Sequence, residues 1–313
     1  MLRRILVPLD GSSRAERALP IASQLAHATG SHVLLLRVVN LPALHSPAMN
    51  PPRLLLAPVS VRLSSARRYL RNAARRAGLT RVNIETEAVE GPIVETILEV
   101  ADSTNADLIV MCSHGHTGAL HWPLGSVARD VARHGDIPTL VVRAHGSLQP
   151  GIAGAARPTA LIALDGTPYA ERAIGPALDL LEALAAPGQA EAHLISVCAS
   201  LSANELTHYL QGVADELRRS RLAGGAVSVT WSLGLGDDPV HALATAARGD
   251  GEIEAPAFIA LATHARTGWQ RWVNGSVTES LLDATTTPLL ITGPSAPVSS
   301  PAKKTEPAIP TGV

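Results

Sequence analysis

One segment of this chain is written twice. Residues 107–127 read DLIVMCSHGHTGALHWPLGSV and residues 257–277 read AFIALATHARTGWQRWVNGSV. His114 aligns with His264, Gly118 with Gly268, Trp122 with Trp272 and Ser126 with Ser276, all at one offset of 150 residues. A second register, at an offset of 155, pairs Asp10 with Asp165 and Glu16-Arg17-Ala18 with Glu171-Arg172-Ala173. A repeat this long implies two homologous domains rather than a solenoid of short units. The 313 residues are enough for two cores.

Each copy reads as a strand, a glycine loop and a helix start. Leu108–Met111 is a short apolar run with Ile and Val, as in a buried strand. Gly115 and Gly118 interrupt it, and Gly125-Ser126 opens the helical spacing of Val127, Val131 and Ala132. Such a loop offers an anion main-chain N–H groups and the positive end of a helix dipole. Ser126 suits an N-cap or a hydroxyl donor to that anion. An ordinary βα turn explains one such loop equally well; the second copy favours a cradle.

The rest of the first half alternates. Strands are expected at Ile5–Leu9, His32–Val39, Val82–Val89 (with in–out alternation), 108–111 and Thr139–Val142. Helices are expected from Ala18 to about Gly30, over Ser60–Ala77, from Gly91-Pro92 to Val100, and after Ser126, with a Pro/Leu-rich loop over 40–60. The second half repeats the plan, with strands at 160–164, 191–198, 226–233, 257–261 and 289–292 and helices at 169–185, 204–222, 239–248 and from Gly275. Alternating β and α units give parallel sheets with right-handed crossovers. The expected boundaries are a domain over 1–146, a Gly/Ala/Pro linker over 147–157, a domain over 158–295 and a disordered tail over 296–313.

Composition removes several functions. A net charge of -1 and 3% aromatic residues disfavour a nucleic-acid surface. Seven arginines between Arg62 and Arg81, with Arg67, Arg71 and Arg75 on one face, read as a solvated helix face. Cys112 and Cys198 make neither a paired motif nor a metal spacing, as suits a reducing compartment. The apolar run Ile5–Leu9 is too short for a signal peptide, and no segment is long enough to span a bilayer. A cytoplasmic protein with no membrane partner is expected.

The ordered set resembles the universal stress protein family over nearly all of both halves. That family's motif is a glycine, two residues, a glycine, nine residues, then Gly-Ser or Gly-Thr, after a strand like Asp-Leu-Ile-Val-Met. Here Gly115, Gly125 and Ser126 match, but Cys112 stands where the first glycine belongs; Ala262 and Ala265 replace both early glycines of the second copy, while Gly275 and Ser276 remain. The opening strand ending in Asp and the closing Pro138–Val142 and Pro288–Thr292 strands also match.

The resemblance implies a fold of two tandem five-stranded parallel sheets, Rossmann-like and of the adenine nucleotide alpha hydrolase type, each in the order 3-2-1-4-5. It implies ATP, with Mg2+ as a companion cation, in a crevice beyond the first and fourth strands. Asp10 would take the ribose side, Gly115, Gly125, Ser126 and Val127 the phosphate side, and Val38 or Val39 the base, with Met111, Cys112 and His114 also in contact with the nucleotide. Asp165, Gly275 and Ser276 would form a weaker second site, because two glycines and the Asp107 counterpart, Ala257, are lost there. It implies that Thr139–Val142 and Leu289–Thr292 pair within the chain; a homodimer is compatible.

No catalytic or metal residue is assigned. His114 and His264 lack partners at ligand spacing and read as loop residues. No lysine serves as a P-loop clamp. A regulatory module with little turnover is expected, its rival being a nucleotide-free interaction module whose glycines are only turn residues. Slow ATPase chemistry ranks third.

Overall fold

A computed structural model describes residues 2–40, 58–77, 82–113, 125–143, 157–185, 188–198, 203–220, 226–249, 254–263 and 277–293. The linker, the C-terminal tail, most of the 40–60 stretch, His114, Gly115, Ala265, Gly275 and Ser276 lie outside the described residues.

The first half runs β1 (Arg4–Pro8), α1 (Ala18–Thr29), β2 (His32–Val39), α2 (Val59–Arg76), β3 (Ile84–Glu90), α3 (Ile93–Ser103), β4 (Leu108–Cys112), α4 (Ser126–His134) and β5 (Thr139–Val142). The second runs β6 (Thr159–Ala163), α5 (Ile174–Ala185), β7 (Ala190–Cys198), α6 (Ala203–Ser220), β8 (Val227–Leu235), α7 (Pro239–Ala246), β9 (Phe258–Ala262), α8 (Val277–Ala284) and β10 (Leu289–Thr292). The alternation and every strand expected from the sequence are present, with ends shifted by a residue or two.

The central strands are apolar on both faces because helices cover both. Ile5 and Val7 face the layer of α1 and α2, whereas Leu6 faces that of α3 and α4, and all three are fully buried. Side chains of this size each contribute roughly 1.5–3 kcal/mol on burial. α2 shows how one stripe suffices: Arg62, Ala66, Leu70 and Ala73 are buried, while Arg67, Arg71 and Arg75 are exposed on the other side. β3 departs from the expected alternation, since Glu85, Thr86 and Glu87 are exposed in a row. It is an edge strand with no neighbour on its outer side, and its glutamates oppose edge pairing.

Ten strands form one sheet in the order β3-β2-β1-β4-β5-β10-β9-β6-β7-β8. Neighbours within each half are parallel, and the seam is antiparallel: Thr139 faces Ile291, Leu140 faces Leu290 and Val141 faces Leu289. The last strands of the two halves thus satisfy each other's edges, as expected. Gly293, just past β10, lies so close to Gly135 that a Cβ there would sit 1.9 Å from the Gly135 carbonyl oxygen.

Candidate functional site

In each half the chain lays β1, β2 and β3 outward on one side, then returns to lay β4 and β5 on the other. β1 and β4 are neighbours, pairing Ile5 with Leu108, yet their C-terminal connections leave in opposite directions. A crevice opens there, at the C-terminal ends of the strands.

Asp10 follows β1 by two residues. Its Oδ1 accepts from the Ser12 amide at 2.9 Å and the Ser12 hydroxyl at 2.7 Å, and Ser12 Oγ accepts from the Ala15 amide at 3.1 Å. This locks the carboxylate at the crevice mouth and starts the turn into α1. The turn needs Gly11, whose φ of +92° is strained for any residue with a Cβ. The second half repeats it: Asp165 Oδ1 accepts from the Thr167 amide at 3.0 Å and its hydroxyl at 2.5 Å, and Gly166 has φ +83°.

Across the crevice, Ser113 follows β4 and donates its amide proton to the Val142 carbonyl at 2.7 Å. Its own carbonyl accepts from the Gly125 amide at 2.7 Å. The two ends of segment 114–124 are therefore tied together, and α4 begins at that neck. Gly125, not Ser126, is the N-cap, and among the described residues no side chain caps the helix. Gly125 has φ −61° and ψ 145°, ordinary extended values. Its glycine is not required by backbone conformation; what it contributes is the absence of a side chain beside the first-turn amides of α4.

Two further expectations change. Cys112 and Ala262 are the last residues of β4 and β9, paired with Val142 and Thr292, so neither needs the left-handed conformation a glycine supplies. Asp107 is remote from the crevice. At the start of β4 its Oδ2 accepts from the amides of Arg3 and Arg4 at 2.7 and 2.8 Å, so its counterpart Ala257 costs a strand tie rather than a ligand contact.

The valines separate. Val38, Met111 and Val127 join the core on the α3/α4 side, whereas Val39 joins the α1/α2 side. Cys112 is buried.

Three residues escaped the sequence reading. Arg37, near the end of β2, lays its guanidinium over the Tyr69 ring at 4.9 Å and against Gly11, where a Cβ would meet Nη1 at 2.1 Å. Tyr69 is half-buried beside Glu16; burial first, then that carboxylate, push its pKa well above the usual tyrosine value, and Arg37 opposes the shift. Tyr209 has the same relation to Glu171. In the second half the position of Arg37 is taken by Ser196, which donates to the Leu164 carbonyl at 2.8 Å. The third is Tyr169, whose hydroxyl donates to the Thr263 carbonyl just past β9. Tyr169 aligns with Arg14, so a tyrosine strut spans the second crevice where the first has a half-buried arginine. Only the repeat offset signals these differences.

The donor set suits a nucleotide in the first crevice: an oriented carboxylate, an uncapped helix start, and a guanidinium beside them. Among the described residues no group of three or more His, Cys, Asp or Glu is placed to hold a metal, and no helix is long and apolar enough to cross a membrane.

A family model described as "Universal stress protein family" matches residues 1–143 and 157–293. A universal stress protein of Methanocaldococcus jannaschii is 32% identical over 144 residues, covering 46% of this chain and 83% of that protein. The universal stress protein YxiE of Bacillus subtilis is 28% identical over 148 residues, covering 46% of this chain and all of that protein. The crystal structure of a universal stress protein from Archaeoglobus fulgidus superposes with a TM-score of 0.65 at 18% identity, covering 93% of this chain and 98% of that one.

Proposed function

Because the chain belongs to the universal stress protein family, we propose that it is an ATP-binding regulatory module of the stress response with little or no turnover. The nucleotide occupies mainly the N-terminal half. The observation that carries this reading is the pairing, at one switch point, of the Ser12-locked Asp10 carboxylate with the uncapped N-terminus of α4. Asp10 receives the ribose hydroxyls; Ser126 and Val127 present backbone amides to phosphate, backed by the helix dipole. Val38 and Met111, on the α3/α4 side with Val127, line the base. Mg2+ accompanies the phosphates without a protein cage.

The asymmetry between halves rests on Tyr169 and Ser196. The strut from Tyr169 to Thr263 crosses the second crevice, Ser196 stands at the position of Arg37, and the guanidinium of that half, Arg172, lies over the Tyr169 ring at 4.8 Å.

One observation favours the rival, a nucleotide-free interaction module of the same fold. Cys112 puts a buried side chain where the family motif has glycine. Calorimetric titration of the full chain with MgATP separates the two. The ATP reading expects saturable binding that Asp10→Ala weakens at least tenfold, about 1.4 kcal/mol, while Asp165→Ala leaves it unchanged. Wild-type protein that takes up no ATP overturns it in favour of the interaction module.

A further inference from the structure

The face of the β7–β8 pair on the α7/α8 side carries a chain of hydrogen bonds with one direction. Ser232 Oγ lies 2.7 Å from His193 Nε2, and His193 Nδ1 lies 2.8 Å from Thr230 Oγ1. Thr230 in turn donates to Glu191 Oε1 at 2.7 Å. A threonine hydroxyl has one proton, and here Glu191 takes it. Thr230 can then only accept from His193, so the neutral ring carries its proton on Nδ1. Nε2 is left as an acceptor, and Ser232 donates to it. Arg157 holds the far end, with Nη2 3.3 Å from Glu191 Oε2 and 2.6 Å from Ser228 Oγ.

The sequence did not have to place a histidine here. Leu161 pairs with His193 as Leu6 pairs with Leu34, and Leu34 is an ordinary buried leucine. An imidazole in that apolar slot costs free energy unless both nitrogens are satisfied. The ladder Ser228, Thr230, Ser232 on β8 satisfies them from consecutive positions on one face.

We propose that Ser232 is a nucleophilic hydroxyl, activated by His193 and oriented through Thr230 and Glu191, that reacts with activated acyl esters. The arrangement has the three parts such a group needs: a nucleophile, a base in hydrogen-bond contact, and a third group that fixes the base's tautomer. β8 is the last strand of the sheet and Ser232 is only half-buried, so an ester can approach. The amides of Ala190 and Gly236 bond to Ala226 and Cys198, so even-numbered residues of β8 turn their backbone groups toward β7. Leu233 therefore directs its N–H to the free edge, next to the nucleophile, where it serves a developing oxyanion.

In the reaction, Ser232 Oγ bonds to the acyl carbon while its proton passes to His193 Nε2. The bond from that carbon to the leaving oxygen breaks, and the Nε2 proton goes to that oxygen. The products are acyl-Ser232 and the free alcohol. The charged ring formed on the way is stabilised by Thr230 and the Glu191 carboxylate behind it.

The probe is a fluorophosphonate, which forms an Oγ–P bond and releases fluoride. Full-length protein is treated with it and the adduct is located by peptide mass spectrometry. An adduct is expected on Ser232, forming at a rate that falls at least roughly tenfold in His193→Gln and in Thr230→Val. Wild-type protein decides the matter even if a variant fails to fold, because the labelled residue is read directly. No adduct on Ser232 overturns the proposal, as does unchanged labelling in a folded His193→Gln.

Discussion

Tyr169 donates its hydroxyl proton to the carbonyl oxygen of Thr263, joining the loop after β6 to the end of β9 across the second crevice. Because the ring fills space and the hydroxyl consumes an acceptor, two variants separate the effects. Tyr169→Phe is expected to cost about 1 kcal/mol of stability from the lost bond and to leave ATP stoichiometry unchanged. Tyr169→Ala is expected to open the crevice and raise the stoichiometry measured by calorimetry. Equal stoichiometry in Tyr169→Ala and wild type counts against the strut as the barrier.

Gly293, just past β10, leaves no room for a Cβ against the Gly135 carbonyl. A methyl at 293 meets a carbonyl oxygen, not a yielding side chain, so the backbone at the end of β10 has to move. Gly293→Ala is expected to destabilise the chain by roughly 1–3 kcal/mol, the usual cost of overpacking. Chemical denaturation measures it; a loss within error would show that the seam relaxes.

Tyr69 and Tyr209 set an alkaline limit. Their folded-state pKa values lie above the ordinary tyrosine value of 10.0, chiefly through burial and then Glu16 or Glu171. A raised acid pKa means the unfolded chain releases the proton first. Stability from this source is complete below pH 10 and declines as pH rises beyond it. Tyr69→Phe and Tyr209→Phe are expected to flatten that decline in melting temperatures recorded from pH 8 to pH 11. A decline of the same slope in the double variant would place its origin elsewhere.

Gly11 and Gly30 both have positive φ, but only Gly11 is crowded. Gly30→Ala meets open space and is expected to cost about 1 kcal/mol for the left-handed conformation alone. Gly11→Ala adds the clash with Arg37 and is expected to cost more, with part recovered in Gly11→Ala/Arg37→Ala. No recovery in the double variant would mean that strain, not the guanidinium, sets the requirement.

The fold was legible because it rests on two patterns that survive in one dimension. Continuous apolar runs such as Val33–Leu36 mark strands covered on both faces, and the repeat offsets mark the second domain. The seam between β5 and β10 came from the family resemblance, since the 150-residue offset that relates Leu140 to Leu290 marks them as equivalents without saying that they touch. Of the candidate crevice, the sequence placed Asp10 after the first strand and the start of α4 after the fourth, where the fold has them. Arg37, Tyr69 and Tyr169 were not legible, because each acts across elements far apart in sequence. Gly125 misled by its residue type: its dihedral angles are available to any residue, and the conformationally demanding glycines are Gly11 and Gly166. The seven arginines between Arg62 and Arg81 read as a solvated face, yet Arg62 is buried and reaches the Asn40 carbonyl and Glu90.

The seam also bears on how the chain is made. β5 is apolar or uncharged at every position and buried throughout, and its partner β10 emerges about 150 residues later, on the order of ten seconds at ribosomal speed. During that interval the finished N-terminal half presents an open, uncharged strand edge to its surroundings. Neighbouring ribosomes on one message carry the same edge at the same time, so their nascent chains compete with β10 for it. Fast translation of the second half, or a chaperone covering residues 139–142, protects the correct pairing.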